Sequence, residues 1–302
     1  MKIGIVGDVH LAERNPRCRK DNFLQSVLKK LDYIAKRNDK VIILGDLFHI
    51  HSNSTQLFNL LFKFFSIKHP NKFICIPGNH DLFHNNLISL DRTTLGSLYY
   101  TNAIDLQYKE FKIDNAEFVV SLVNKDMKNL PVDTDNSKIL LGHNFYEMSL
   151  SPKESFTKSD IRKLNYRLVF LGHDHQPYEE EFIGNSILIR MGSLSRIDIS
   201  KYNKDREIAY YQLDSETLDY NRQVIPVQPI SECYNDEAFD RVNDSKVKRV
   251  LSFVEIGEAL AKFNKCAEGS NSLDKTLIKL GATEKEREYI KYLHTLTNVK
   301  YF

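Results

Sequence analysis

Five times within the first 175 residues an apolar run stops at a glycine and hands the chain to aspartate, asparagine or histidine. The runs are "KIGIVGDVH" (2–10), "KVIILGDLFH" (40–49), "KFICIPGNHD" (72–81), "KILLGH" (138–143) and "RLVFLGHDH" (167–175). A short apolar run bounded by a glycine turn reads as a buried strand. Between the first three lie two helical patterns. "DNFLQSVLKKLDYIAKRN" places Phe23, Leu24, Val27, Leu28, Leu31 and Ile34 at helical spacing, and "STQLFNLLFKFFSIK" follows with Ser54 as its N-cap. Strand–helix–strand–helix–strand calls for right-handed crossovers and a parallel sheet, so the fold is α/β.

Open α/β sheets gather function in the crevice outside the carboxyl ends of their strands. Six of the ten histidines fall in the five turns. The glycines let the chain turn sharply and let backbone approach a ligand closely. A mixture of Asp, Asn and His suits manganese, iron or zinc better than magnesium alone. The pattern reads as a two-metal site, in which a shared carboxylate holds two cations about 3.5–4 Å apart, where they polarise a phosphate and activate water for in-line attack. Asp46, on a central strand, is the natural bridge. Asp8 and His10 would fill one metal, Asn79 and His143 the other, and His173 and His175 would each reach a different cation. Any one Gly-Asp or Gly-His is usually only a turn; five in order, each at a strand end, are not coincidence. His69, His84 and His294 lack this context and read as surface or packing residues. Asp81 and Asp174 cap turns or support the site, with Asp81 also placed to orient His80. His51 stays open between a structural and a site role.

After residue 100 the rhythm changes. "EFVVSLV", "KILLGHN" and "RLVFLGHDH" are apolar strands, "EEEFIGNSILIRMGS" is a hairpin turning at Gly184–Asn185, and "EIAYYQLD" with "DYNRQVIPV" makes another pair. The polar stretch 144–165 reads as an excursion over the surface. A composition shift near Pro226 and Pro229 separates residues 1–228 from a short helical appendage, 229–302, with helical patterns at 246–265, 272–280 and 284–297.

A net charge of +2 gives no overall field for nucleic acid, so any basic surface must be local. The best local group is "ERNPRCRKDN", with Arg14, Arg17, Arg19 and Lys20 just after Asp8 and His10; Arg92, Lys153, Lys158 and Arg196 are further candidates for DNA phosphates. Taken singly, each is as readily a solvated surface charge. No base-reading module is evident, so contact with DNA would be independent of sequence. Four scattered cysteines without a C-x-x-C pair argue against disulfides and for a reducing, cytoplasmic setting. The opening apolar run is too short for a signal peptide or a membrane span.

The order Asp-x-His, Gly-Asp, Gly-Asn-His-Asp, Gly-His, Gly-His-x-His resembles the calcineurin-like metallophosphoesterase superfamily over residues 1 to 195. The resemblance implies a four-layer αββα sandwich, two β-sheets flanked by helices, around a dinuclear centre of divalent metal ions, manganese first. It implies metal ligands at Asp8, His10, Asp46, Asn79, His143, His173 and His175, with His80 over the metals to stabilise the phosphate or protonate the leaving oxygen. The Arg-Gly that follows the bridging Asp in protein Ser/Thr phosphatases is missing, and Gly-Asn-His-Asp stands where lipid-A-pathway pyrophosphatases usually carry Gly-Asn-Arg-Asp.

"GDLFH" is similar to the SbcD branch of DNA repair exonucleases, where the histidine in the position of His49 helps place the DNA strand. Gly192, Ser193 and Arg196 match that branch's Gly-Ser-x-x-Arg phrase. This implies a DNA exonuclease or endonuclease partnered by an SbcC-type coiled-coil ATPase, with a homodimer by family analogy and no membrane. Chains of that branch are usually longer; here about 75 residues follow Pro226. Phe253, Ile256, Leu260 and Phe263 form a stripe that would meet the ATPase or pack on the sandwich. Two other readings stand beside this one. The first is a small-molecule or nucleotide phosphodiesterase on the same fold. The second is a silent scaffold, against which the intact ligand at every motif argues.

Overall fold

The computed structural model describes residues 1–16, 19–123, 130–148, 155–197, 203 and 206–234. The chain divides into a compact unit, Met1–Phe239, and a second, Asp240–Phe302, which lies outside the described residues. Also outside them are the helical patterns from 246 onward with their apolar stripe, and the candidate phosphate contacts Arg17 and Lys153.

The described residues hold fourteen strands and the helices that join some of them. They are β1 Lys2–Val6, β2 Lys40–Leu44, β3 Phe73–Ile76, β4 Asp105–Leu106, β5 Phe111–Ile113, β6 Ala116–Ser121, β7 Ile139–His143, β8 Phe145–Tyr146, β9 Ser155–Phe156, β10 Leu168–Gly172, β11 Glu181–Ile183, β12 Ser186–Arg190, β13 Ala209–Asp214 and β14 Tyr220–Val224. The first sheet runs β14-β13-β1-β2-β3-β4 and the second β11-β12-β10-β7-β6-β5, with β8 and β9 forming a small separate pair. Within the first sheet β1, β2 and β3 are parallel; within the second β6, β7, β10 and β12 are parallel. Gly184 turns the antiparallel hairpin β11–β12 in the left-handed region, at a φ of 65°.

Alternation along each strand decides the layers. In β2, Ile42 and Leu44 face the second sheet, while Val41 and Ile43 face α1, Phe23–Ala35, and α2, Thr55–Phe62. Ile3, Ile5, Ile74 and Ile76 join the inter-sheet core and meet Phe118, Val120, Leu141 and Phe170. On the far side Val119, Leu140, Val169 and Leu188 are covered by Ile161 and Leu164 of α4, Lys158–Leu164; α3, Thr94–Tyr100, adds Leu95 and Leu98 to the first helical layer. The result is helices, sheet, sheet, helix.

The stretch 144–165 therefore is more than a surface excursion. Its helix α4 carries a capping box, in which the Thr157 side chain and Asp160 satisfy each other's backbone amides, and it buries Ile161 and Leu164 on the second sheet. Asn22 and Ser54 cap α1 and α2 by accepting from the amides of Gln25 and Leu57. No helix of the described residues is long and apolar enough to cross a membrane.

The parallel strands of both sheets end on one edge, and there the sheets come closest. A Cβ on Gly172 would lie 2.5 Å from the Leu44 carbonyl oxygen, and one on Gly45 would lie 2.2 Å from Nδ1 of His143. Glycine is required at both positions for the two sheets to meet.

Candidate metal centre

The turns at this edge are strained, and their backbones are fixed from several sides. His10, Asp46 and His173 take left-handed φ of 53°, 46° and 81°, a region that non-glycine residues rarely occupy. The Asp46 carbonyl accepts from the amides of Val9 and His10, at 3.1 and 2.8 Å. Leu194 N–H donates to the Asp8 carbonyl at 2.8 Å, and Ser193 N–H to that of His175 at 3.1 Å. The fully buried Asp81 carboxylate accepts from the amides of Gly78, Phe48 and Leu47, at 2.9, 2.9 and 3.2 Å. It thereby ties the turn bearing Asp46 to the turn bearing Asn79 and His80. The His80 ring is oriented instead by the His49 carbonyl, which accepts from its Nδ1 at 2.7 Å.

Side chains from both sheets converge in the crevice. Asp8, His10 and His175 form one group of ligand atoms, Asp46, His143 and His173 a second, and His10, His49 and His80 a third. Asp46 lies between the first two: its Oδ2 is 3.6 Å from Nε2 of His10 and 3.4 Å from Nε2 of His143, while its Oδ1 accepts from the His80 amide at 2.8 Å. Asn79 Oδ1 is 2.9 Å from Nε2 of His143.

These donors fit divalent cations. His143 Nδ1–H donates to the Leu44 carbonyl at 2.7 Å, so in the neutral ring Nε2 carries a lone pair aimed at the oxygens of Asn79 and Asp46. The Nε2 atoms of His10 and His175 face each other at 2.9 Å, and the buried Nδ1 of His10 and Nε2 of His173 have no hydrogen-bond partner. Converging lone pairs in a buried site are held by protons or by cations. Borderline imidazoles mixed with two carboxylates and an amide oxygen suit a transition metal.

Electrostatics lead the same way. Burial, with help from His175, keeps His10 well below its ordinary pKa; burial and His143 hold His173 down to about 3. Both rings are therefore neutral and ready to donate. Burial disfavours the His143 cation, but Asp46 and Asp8 outweigh it and raise that ring to about 10. Burial would raise Asp46 too, yet His143 and His10 hold it ionised far below the usual range. A cation held here would stand in place of the His143 proton and supply the charge that Asp46 and Asp8 favour.

All nine residues read as ligands or catalysts from the turn motifs surround this one crevice. Arg14 lies beside it, lining a cavity of about 350 Å³ together with His10 and His49. Arg19 does not reach out to solvent. It is 7% exposed, grips both carboxylate oxygens of Asp21 through Nε and Nη2 at 2.7 and 2.6 Å, donates to the Arg196 carbonyl, and stacks on Phe23 and Tyr234. It is a structural residue and not a phosphate contact. Lys20 is exposed, with its amide on the Cys233 carbonyl; Arg196 is half-buried and donates to the Arg206 carbonyl. His51 packs edge-on against Phe83, and His69 is a buried partner of Asp32.

Sequence reasoning missed the support behind the centre. Buried Lys30 donates to Ser195 Oγ at 2.7 Å, and Arg206 donates to the carbonyls of Ser193 and Ser195. The Gly-Ser-x-x-Arg phrase is thus a brace under the His175 and Asp8 turns. Lys30 lies three residues from Val27 on the apolar stripe of α1, the one signal that it is buried. Phe145, whose ring centroid is 3.8 Å from that of His173, gave no signal.

The family model of the calcineurin-like phosphoesterases matches residues 1–177, a span that includes every candidate ligand from Asp8 to His175. No curated protein matches the chain. Among solved structures it is similar to TT1561 of Thermus thermophilus, at 14% identity over 74% of this chain and 99% of that one, with a TM-score of 0.44. It is also similar to the hypothetical protein PH1004 of Pyrococcus horikoshii OT3 (14% identity, 81% and 93% covered, TM-score 0.39). A third is a conserved uncharacterized protein and predicted phosphoesterase of Streptococcus pneumoniae TIGR4 (12%, 74% and 97%, 0.35). With the family match spanning more than half of its length and all of its candidate crevice ligands, the chain belongs to the calcineurin-like phosphoesterases, a family of metal-dependent hydrolases.

Proposed function

We propose that the chain is a metal-dependent DNA nuclease that hydrolyses phosphodiester bonds as the catalytic subunit of a complex with a coiled-coil ATPase. The observation that carries this reading is the place of His49. Its ring stands in the crevice, 5.5 Å from that of His10 and stacked at 5.6 Å on that of His80, beyond the residues grouped around Asp46. A substrate with an ester arm on each side of its phosphate meets His49 on the way out; a monoester does not require it.

Divalent cations, when bound, supply Lewis acidity to the phosphate and a water nucleophile at neutral pH. Asp8, His10 and His175 would hold one, and Asp46, Asn79, His143 and His173 the other. His80 has its Nδ1–H fixed on the His49 carbonyl, leaving Nε2 for the substrate. As the imidazolium it donates the Nε2 proton to the departing 3′-oxygen while the phosphorus–oxygen bond breaks. Water adds to phosphorus, and the products are a 5′-phosphate and a 3′-hydroxyl.

The test is degradation of end-labelled linear duplex and single-stranded DNA with manganese against EDTA, with Asp46→Asn as the blank. Manganese-dependent cleavage that vanishes in the variant is the expected result. Intact DNA beside rapid cleavage of a small phosphodiester, unchanged by the ATPase, would leave a small-molecule phosphodiesterase. The cavity of about 350 Å³ beside His49 is the feature that favours that second reading.

A further inference from the structure

The cavity beside His49 shares two walls with the metal centre. His10 and His49 line it on one side; Ala12, Phe23 and Ile197 give it apolar walls, and the exposed Arg14 stands at its rim. A phosphate held at the centre would have room for one of its ester arms past His49 in this space. At about 350 Å³ it sits at the small end of the roughly 300–1,000 Å³ range of ligand pockets, with room for one nucleoside but none for a stacked base pair.

The lining offers apolar contact and one cation, and little that could read a base edge. The nearby Asn15 amide is spent on the chain itself, donating to the Asp21 carbonyl and accepting from the Phe23 amide at 3.1 Å. Apolar walls with a guanidinium hold a π-face of any base, whereas discrimination needs donors and acceptors matched to base edges.

From this arrangement we infer that the cavity is the seat of a single unpaired nucleoside adjoining the scissile phosphate, accepted without regard to its base. This rests on the phosphodiester reading of the centre. A base still paired in a duplex cannot enter, so the nucleotide taken is one at a frayed end, in a single strand or free in solution.

The experiment is calorimetric titration of manganese-loaded protein with thymidine 5′-monophosphate, thymidine 3′-monophosphate and methyl phosphate, repeated on Ala12→Leu, which narrows the cavity from its apolar wall. Turnover of methyl p-nitrophenyl phosphate is measured in parallel, because its methyl arm does not need the cavity. One thymidine monophosphate should bind about tenfold or more tightly than methyl phosphate, the effect of one well-stacked base. Its adenosine, guanosine and cytidine deoxy counterparts should fall within a few-fold of it, and Ala12→Leu should erase the advantage while leaving methyl p-nitrophenyl phosphate turnover intact. Equal binding of thymidine monophosphates and methyl phosphate, or an advantage that survives Ala12→Leu, overturns the nucleoside seat while the turnover shows the phosphodiester reading still standing. A strong preference for one base overturns the stacking mode. Absence of turnover in the unmodified protein overturns both readings.

Discussion

Replacing Asp81 with alanine tests the brace that holds the two sides of the first sheet's crevice together. Its carboxylate is the acceptor for three buried amides, those of Gly78, Phe48 and Leu47. Each orphaned buried amide costs ~1–3 kcal/mol, and a water entering the vacated space takes back part, so the loss at pH 5 is about 3–5 kcal/mol. The pH dependence sharpens the test. Burial and the Asp46 charge push Asp81 up to about 7, above its value of 3.8 in an unfolded chain. A carboxyl raised on folding contributes fully below the unfolded value and loses that contribution as pH climbs through the folded one. In metal-free protein the penalty of Asp81→Ala should therefore shrink by ~1.4 kcal/mol per pH unit between about 4 and 7. Urea unfolding in EDTA, followed by circular dichroism at pH 5 and pH 7, gives both numbers from the midpoint at constant slope. A penalty under ~1 kcal/mol at pH 5, or one that grows towards pH 7, refutes the reasoning.

Lys30 carries the opposite sign. Burial, reinforced by Arg19 and Arg206, lowers it from 10.5 to about 7, so its contribution is complete above 10.5 and is lost as pH falls to 7. Relative to Lys30→Met, the unmodified protein should gain stability between pH 7 and 10; parallel curves from denaturant titrations across that range contradict this. Gly45→Ala should cost about 1–2 kcal/mol for its left-handed φ of 83° and should push the His143 ring off the Leu44 carbonyl, halving the metal content by elemental analysis. Unchanged stoichiometry would show that the ring can yield. His80→Asn should keep its metals and lose most turnover of a small phosphodiester, and full activity would remove His80 from the chemistry.

Much of this was legible in the sequence because the information is local. A strand that runs into Gly-Asp or Gly-His marks both the element and a candidate ligand, so β1, β2, β3, β7 and β10 and the residues at their ends could be read together. The cap at Ser54 and the turn at Gly184 are local as well. Long-range pairing was not legible: β13 lies antiparallel beside β1, more than 200 positions upstream, and nothing in either string says so. Helix α4 was hidden because two buried residues, Ile161 and Leu164, sit in a polar stretch whose capping box was the only clue. Arg19 misled for a different reason. A run of cations after two ligands looks like a comb for phosphates, but Asp21, Phe23 and Tyr234 draw this one side chain inward, and side-chain direction is settled by the packed neighbours. The Asp81 brace and the Lys30–Ser195 contact are equally products of assembly.

The division of ligands between two sheets sets the moment at which the centre comes into being during synthesis. A nascent chain that has emerged only through the turn after β3 displays Asp8, His10, Asp46 and Asn79 of the candidate ligands, with oxygen donors in the majority among them. His143, His173 and His175 arrive with β7 and β10, and the strand that flanks β1 arrives only with residues 209–214. Those early donors alone would make a weak, oxygen-rich site of the kind that suits magnesium. The candidate imidazole set is complete only once residue 175 has been made, so the choice of metal would fall to the nearly finished domain.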